Sequence, residues 1–159
     1  VNLFIVNTCP IQAAKELDDV RVIKIALEAT QILCTVLSQK GIAVPYKPTH
    51  ANHPVTVWAG ADDRNANWVY NYAYALCDVY ELWTGKKHAC IAVLDQLNDH
   101  IPEAEDPIDF QNSARNGALD FSHLPVTEAY QQYLNARYQT GKRSPKWTGR
   151  QFPSWYCPF

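Results

Sequence analysis

Long apolar runs are missing from this chain, and so are most of the short signatures that announce a chemistry. No stretch of its 159 residues approaches the roughly 18–20 apolar residues that a membrane span needs. The apolar run at residues 3–6 is too short for the core of a secretory signal and has no basic flank. The expectation is a soluble, cytoplasmic protein with no membrane partner. There is no glycine-rich phosphate loop, no Walker-type lysine and no Gly-x-Ser-x-Gly elbow, which argues against nucleoside-triphosphate hydrolysis and triad hydrolysis. Closely spaced cysteine pairs are absent as well. Cys9, Cys34, Cys77, Cys90 and Cys157 are odd in number and far apart, which disfavours a disulfide framework or zinc ribbon and suits a reducing compartment. Cys34 and Cys77 fall inside apolar helical patterns, where a thiol serves as a small core residue.

Acid is missing from the last 31 positions. All sixteen acidic residues lie at or before Glu128, facing nine bases there, so this long segment carries −7. The remainder carries +5, from Arg137, Lys142, Arg143, Lys146 and Arg150. Such asymmetry marks either an anionic partner for the tail or a tail that packs on the acidic body, and charge alone weighs the two equally.

What is present is globular in composition, 47% apolar and 19% charged, at the length of one domain. The expected fold is mainly α, a single compact helical domain over residues 1–159 with long irregular loops. Residues 2–6 form a short strand or an extended, buried start. Cys9 and Pro10 open a short helix through about residue 17. Asp18 or Asp19 caps the clearest helix, which runs to about residue 39 and stops at Gly41. Its apolar face is Val22, Ile25, Ala26, Ala29, Ile32, Leu33, Val36 and Leu37, a 3.6-residue repeat. Residues 42–57, with three prolines, read as a loop leading into a helical turn near Trp58. A long helix spans about 62–84, its buried stripe running from Trp68 to Trp83 and its end at Gly85. A shorter helix covers 86–98, a surface loop 99–124, and a last helix runs from Pro125 to about 138. Residues 140–159 form a coil rich in aromatics and bases that packs back on the body.

Three constellations carry possible chemistry. On the long helix Arg21, Lys24 and Glu28 share one face, with Asp18 and Asp19 at its start; an ordinary solvated face has the same pattern. In the loop, His50, Asn52 and His53 precede Trp58. Two imidazoles three residues apart hold a metal only if other ligands converge, and no such ligands accompany them, so no metal is expected. They suit hydrogen bonding to a phosphate or base, or else Asn52 merely caps a helix. In the tail, bases interleave with aromatics around Lys146, Trp147 and Arg150, which suits a nucleic-acid backbone plus stacking, or a clamp onto the helices.

In order and layout along the whole chain, these features resemble the pyrimidine-dimer DNA glycosylase (endonuclease V) family of phages and some bacteria. The resemblance is carried by Val1 and the apolar run ending at Val6, then by an acidic residue before Arg21-Val22 that opens a long helix. A Pro-Thr loop follows, leading through Thr49-His50-Ala51-Asn52-His53-Pro54 to Val55-Thr56-Val57-Trp58. A long amphipathic helix then ends near Lys86, and the chain closes with Pro153-Ser154-Trp155-Tyr156. Taken as a divergent phage branch, the resemblance implies a DNA-repair glycosylase with abasic-site lyase activity on damaged pyrimidines, without a cofactor. The α-amine of Val1 would attack the sugar C1′ and form an imine, being a better nucleophile at neutral pH than lysine because an α-amine has a reference pKa of about 7.7–8.0. A carboxylate, from Asp18, Asp19 or Glu28, would move protons. Substrate contacts would come from Arg21, Lys24, His50, Asn52, His53, Trp58, Lys146, Trp147 and Arg150. Three departures stand against it: the chain is slightly acidic, Asp18 and Asp19 are a methylene shorter than the family's glutamate, and Asn2 replaces a basic residue. Two rivals remain: a non-enzymatic nucleotide or nucleic-acid binder on the same fold, and an interaction protein whose aromatic tail docks a partner.

Overall fold

A computed structural model describes residues 1–158, and the fold is mainly α. Six helices form in chain order: α1 Pro10–Glu16, α2 Asp19–Gln39, α3 Pro54–Ala61, α4 Asp63–Thr84, α5 Cys90–Leu97 and α6 Val126–Thr140. A single two-stranded antiparallel hairpin, β1 Arg115–Asn116 and β2 Leu119–Asp120, is the only sheet among the described residues. No helix among them is long and apolar enough to cross a membrane.

The long helices start and stop where local chemistry tells them to. Asp18 caps α2 by accepting the Arg21 amide, and Asp62 caps α4 by accepting the Arg64 amide at 2.8 Å. Gly85 ends α4 at φ +71°, a left-handed conformation that glycine adopts without a Cβ penalty. All eight apolar positions expected on the inner face of α2 are buried, and they face the Trp68, Val69, Tyr72, Ala73 and Leu76 stripe of α4. Each fully buried Val, Leu or Ile contributes about 1.5–3 kcal/mol. Tyr80 and Trp83, expected in the same stripe, are only half buried.

The first residues are an extended thread through this core, not a strand. Leu3, Ile5 and Val6 are fully buried. The Tyr72 hydroxyl donates to the Leu3 carbonyl at 2.7 Å, and the Gln131 side-chain amide donates to the Val6 carbonyl at 3.0 Å. Between them Phe4 takes φ +51°, a costly setting for a bulky residue, and its ring is held against Tyr130 and Tyr133 of α6.

Three elements differ from expectation. The turn near Trp58 is a complete helix of eight residues, α3, because His53 and Pro54 supply a cap and an N1 proline. Helix α5 starts at Cys90, four residues later than periodicity indicated, where His88 Nδ1 accepts the Cys90 amide. Residues 99–124 hold the hairpin and are pinned down: the Trp58 indole donates to the Asp109 carbonyl at 2.6 Å and Asn112 to the Leu124 carbonyl at 2.9 Å.

The tail packs back as expected. The Trp147 indole donates to the Glu16 carbonyl at 2.9 Å, while Arg150 donates to the Lys15 and Leu17 carbonyls at 3.1 and 2.9 Å. These carbonyls belong to the end of α1, which has no partner of its own for them. Arg150 also pairs with Asp19, whose carboxylate accepts the Thr148 amide and hydroxyl.

Candidate functional site

The N-terminal thread, the outer face of α2, the hairpin and α6 enclose a pocket of about 390 Å³. Val1, Asn2 and Phe4 form one wall, and Arg21, Lys24 and Glu28 form a second, brought together by their spacing on α2. Arg115 and Asn116 enter from the hairpin, Tyr133 and Arg137 from α6. Sequence reasoning missed these last four. An Asn-Gly step marks the hairpin, where Gly117 takes φ +59°, and that turn signal was available to find Arg115. Nothing local marked Arg137, which gains its place from the packing of α6.

Position 1 is fixed tightly. The Asn2 amide donates to Glu28 Oε2 at 3.1 Å, its side-chain amide donates to the Ser113 carbonyl at 3.1 Å, and its side-chain oxygen accepts the Phe4 amide at 3.1 Å. The carboxylate of Glu28 therefore stands beside the first peptide unit, and Val1 and Lys24 line the same pocket. Arg21 is held by Asp18 at 3.1 Å and lies over the rings of Phe4 and Tyr138, 5.5 and 5.2 Å from their centroids. Arg115 adds a cation from the hairpin to the pocket that Val1 and Asn2 also line.

The remaining sequence candidates fall outside this pocket. Asp18 is buried, and its carboxylate accepts from Arg21 and, at 2.7 Å, from the Tyr138 hydroxyl. Burial and then the Asp18 charge push the Tyr138 phenol far up, so it stays a donor. Asp19 is consumed by Arg150 and Thr148. The carboxylate next to Val1 is thus Glu28, with neither aspartate among the pocket walls. Trp58 stacks on Phe110 and Trp147 on Tyr156 and Tyr138, so both indoles serve the packing. Arg150 is part of the tail clasp, and Lys146 is exposed on the neighbouring groove.

The histidine loop borders the pocket without lining it. Thr35 ties it to α2, accepting the Thr49 amide and donating to the Thr49 carbonyl, both at 3.0 Å. His53 caps α3 through Nδ1, which accepts the Val55 amide at 3.1 Å. Burial, then the positive amino terminus and His50, hold the His53 imidazole below its usual range, while Glu28 opposes them. His53 therefore shares the electrostatic field of Val1 and Glu28. His50, at φ +51°, and Asn52 are exposed outside the walls. Among the described residues no group of three or more His, Cys, Asp or Glu is placed to hold a metal ion.

Beyond Arg21, Val20 and Arg137, which it shares with the first pocket, lies a second groove of about 690 Å³ whose far wall carries Lys142, Arg143 and Lys146. A depression of about 650 Å³ at Tyr70, Tyr74, Asp78 and Asp95 has carboxylates and no base, so it offers an anion nothing.

No family model, curated protein or solved structure matches this chain. Its chemistry has to be read from the pocket itself. Lys24, the guanidinium groups of Arg21, Arg115 and Arg137 and the Glu28 carboxylate suit the binding of an anionic, phosphate-bearing ligand with one acid at hand.

Proposed function

We propose that the chain is a DNA glycosylase with abasic-site lyase activity on damaged pyrimidines, working through an imine formed in the Val1–Glu28 pocket. This is the activity implied by its resemblance to the pyrimidine-dimer glycosylases. The supporting observation is the Asn2–Glu28 hydrogen bond, which sets a carboxylate against the first peptide unit in a pocket that Val1 also lines and that Arg21, Lys24, Arg115 and Arg137 rim. With Val1 terminal, the lone pair of its α-amine attacks the sugar C1′ and the base leaves with a proton. The nitrogen lone pair then opens the C1′–O4′ bond, O4′ taking a proton, and the imine forms. Withdrawal of a C2′ proton then expels the 3′-phosphate by β-elimination, with Glu28 as the base. Arg21 and Arg137 hold the flanking phosphates.

Borohydride trapping on an abasic oligonucleotide tests the reading. The unmodified protein is expected to give a covalent adduct, and one extra residue ahead of Val1 is expected to abolish it. Trapping that survives the extension but disappears in Lys24→Ala would move the nucleophile to Lys24. No adduct on any damaged or abasic substrate, with binding retained, would establish the second reading. In that reading the pocket is a non-enzymatic nucleotide or nucleic-acid site, favoured by the chain's net charge of −2 because a small anion needs only a local basic pocket.

A further inference from the structure

Seven of the fourteen lysines and arginines lie along one line. Arg115, Lys24, Arg21 and Arg137 rim the amine pocket, and Lys142, Arg143 and Lys146 continue along the second groove, whose two acids, Asp18 and Asp19, are paired with Arg21 and Arg150. None of Lys142, Arg143 and Lys146 makes an ion pair among the described residues. The line then reaches a third depression of about 370 Å³, which shares Pro145 and Lys146 with the groove and is floored by aromatics. There Phe152 is 57% exposed, with Tyr156 at 5.5 Å and Trp147 at 6.3 Å between ring centroids.

The three cavities thus run in order from amine to cations to an exposed ring. Outside this line the chain is acidic, and of the other bases Arg64, Lys40 and Arg150 are engaged by aspartates. A duplex carries one charge per about 1.7 Å of axis on two strands and calls for a broad positive face. One strand needs one row of cations, together with rings on which its unpaired bases stack.

We propose that the nucleic acid taken by this site is a single strand, its backbone following Arg137, Lys142, Arg143 and Lys146 and one of its bases stacking on Phe152. This rests on the proposed glycosylase reading for the chemistry in the pocket, but the binding path can be read without any reaction. Fluorescence anisotropy with a labelled, undamaged 15-mer, single-stranded or annealed, measures the path directly. Single-strand binding is expected to be the tighter. Phe152→Ala is expected to weaken it about 5- to 150-fold, the range for one lost base–aromatic stack. The triple variant K142E/R143E/K146E is expected to weaken it further and to flatten its salt dependence by about two units of log K against log salt, at about 0.7 per phosphate contact. K47E/K86E/K87E, with the same charge change at exposed positions off the line, is the control expected to keep both the affinity and the slope. Tighter duplex binding, an unaffected Phe152→Ala, or equal losses in the two triple variants would each overturn the proposal. Borohydride trapping on the same strand made abasic is scored separately. Its failure beside tight single-strand binding removes the glycosylase reading and leaves the path standing; trapping on duplex alone does the reverse.

Discussion

At Asp18 three donors converge, the Arg21 amide, the Arg21 guanidinium and the Tyr138 hydroxyl, while Glu28 accepts from the Asn2 amide alone among the described residues. A saturated carboxylate holds structure, and an under-used one is available to move protons. Glu28→Gln is therefore expected to lower strand cleavage at an abasic site about 10²–10⁴-fold, with the imine still trapped and little change in melting temperature. Asp18→Ala is expected to cost about 1–3 kcal/mol in urea unfolding, because it strands the buried Tyr138 hydroxyl. Equal losses of strand cleavage in both variants at full stability would put the proton-handling role back on Asp18. His53 adds a pH dependence of known sign. Its folded value lies below the ordinary 6.5, so the unfolded chain binds the proton more readily. The stabilisation is full above about 6.5 and is lost as pH falls through the folded value; His53→Gln is expected to flatten that acid limb in a stability–pH titration. The sequence showed that Arg21, Lys24 and Glu28 share a face, since helical spacing is local. It did not show which acid stays available, because the partners that occupy Asp18 and Asp19 lie about 120–130 residues away.

Elements were legible in proportion to how local their causes are. Helices α2 and α4 were read to within about a residue, since caps, stripe and closing turn all sit within their own segments. The anchoring of residues 99–124 depends on Trp58 and Tyr130, which lie outside that segment, whereas the start of α5 is set by His88 two residues ahead of Cys90, a local cap that apolar periodicity does not register. The tail was read as far as its packing. Its reach was not: it lines the second groove and leaves the amine pocket to the thread and hairpin. Where tail meets α1, burial raises the Glu16 carboxyl above its ordinary 4.5, and Glu16 Oε2 has no hydrogen-bond partner among the described residues. A raised folded value favours the folded state on the acid side, and that stabilisation is lost as pH rises through it. Glu16→Gln is expected to raise the melting temperature at pH 7, with the gain shrinking as pH falls toward 4.5; a gain independent of pH would refute the burial argument.

Across the whole molecule, composition foretold the class and the charge asymmetry foretold that something had to be balanced. Of the two outcomes weighed for the tail, packing on the acidic body is the one the fold displays, and it uses only part of the charge. Arg150 is spent on Asp19, whereas Lys142, Arg143 and Lys146 stay exposed on the groove. Charge counting could not divide these bases, because only the docking of Trp147 beneath α1 decides which of them face inward.

That docking also sets an order of assembly. The closing carbonyls of α1, at Lys15, Glu16 and Leu17, find their donors in Trp147 and Arg150, more than 130 residues later. During synthesis α1 emerges well before Trp147 and Arg150 and waits for them to complete its end. Contacts of such separation are slow to form, since the loop they close must be ordered before they repay it. Amide exchange during refolding is expected to protect α4 early and the end of α1 last, and Arg150→Ala is expected to widen that gap.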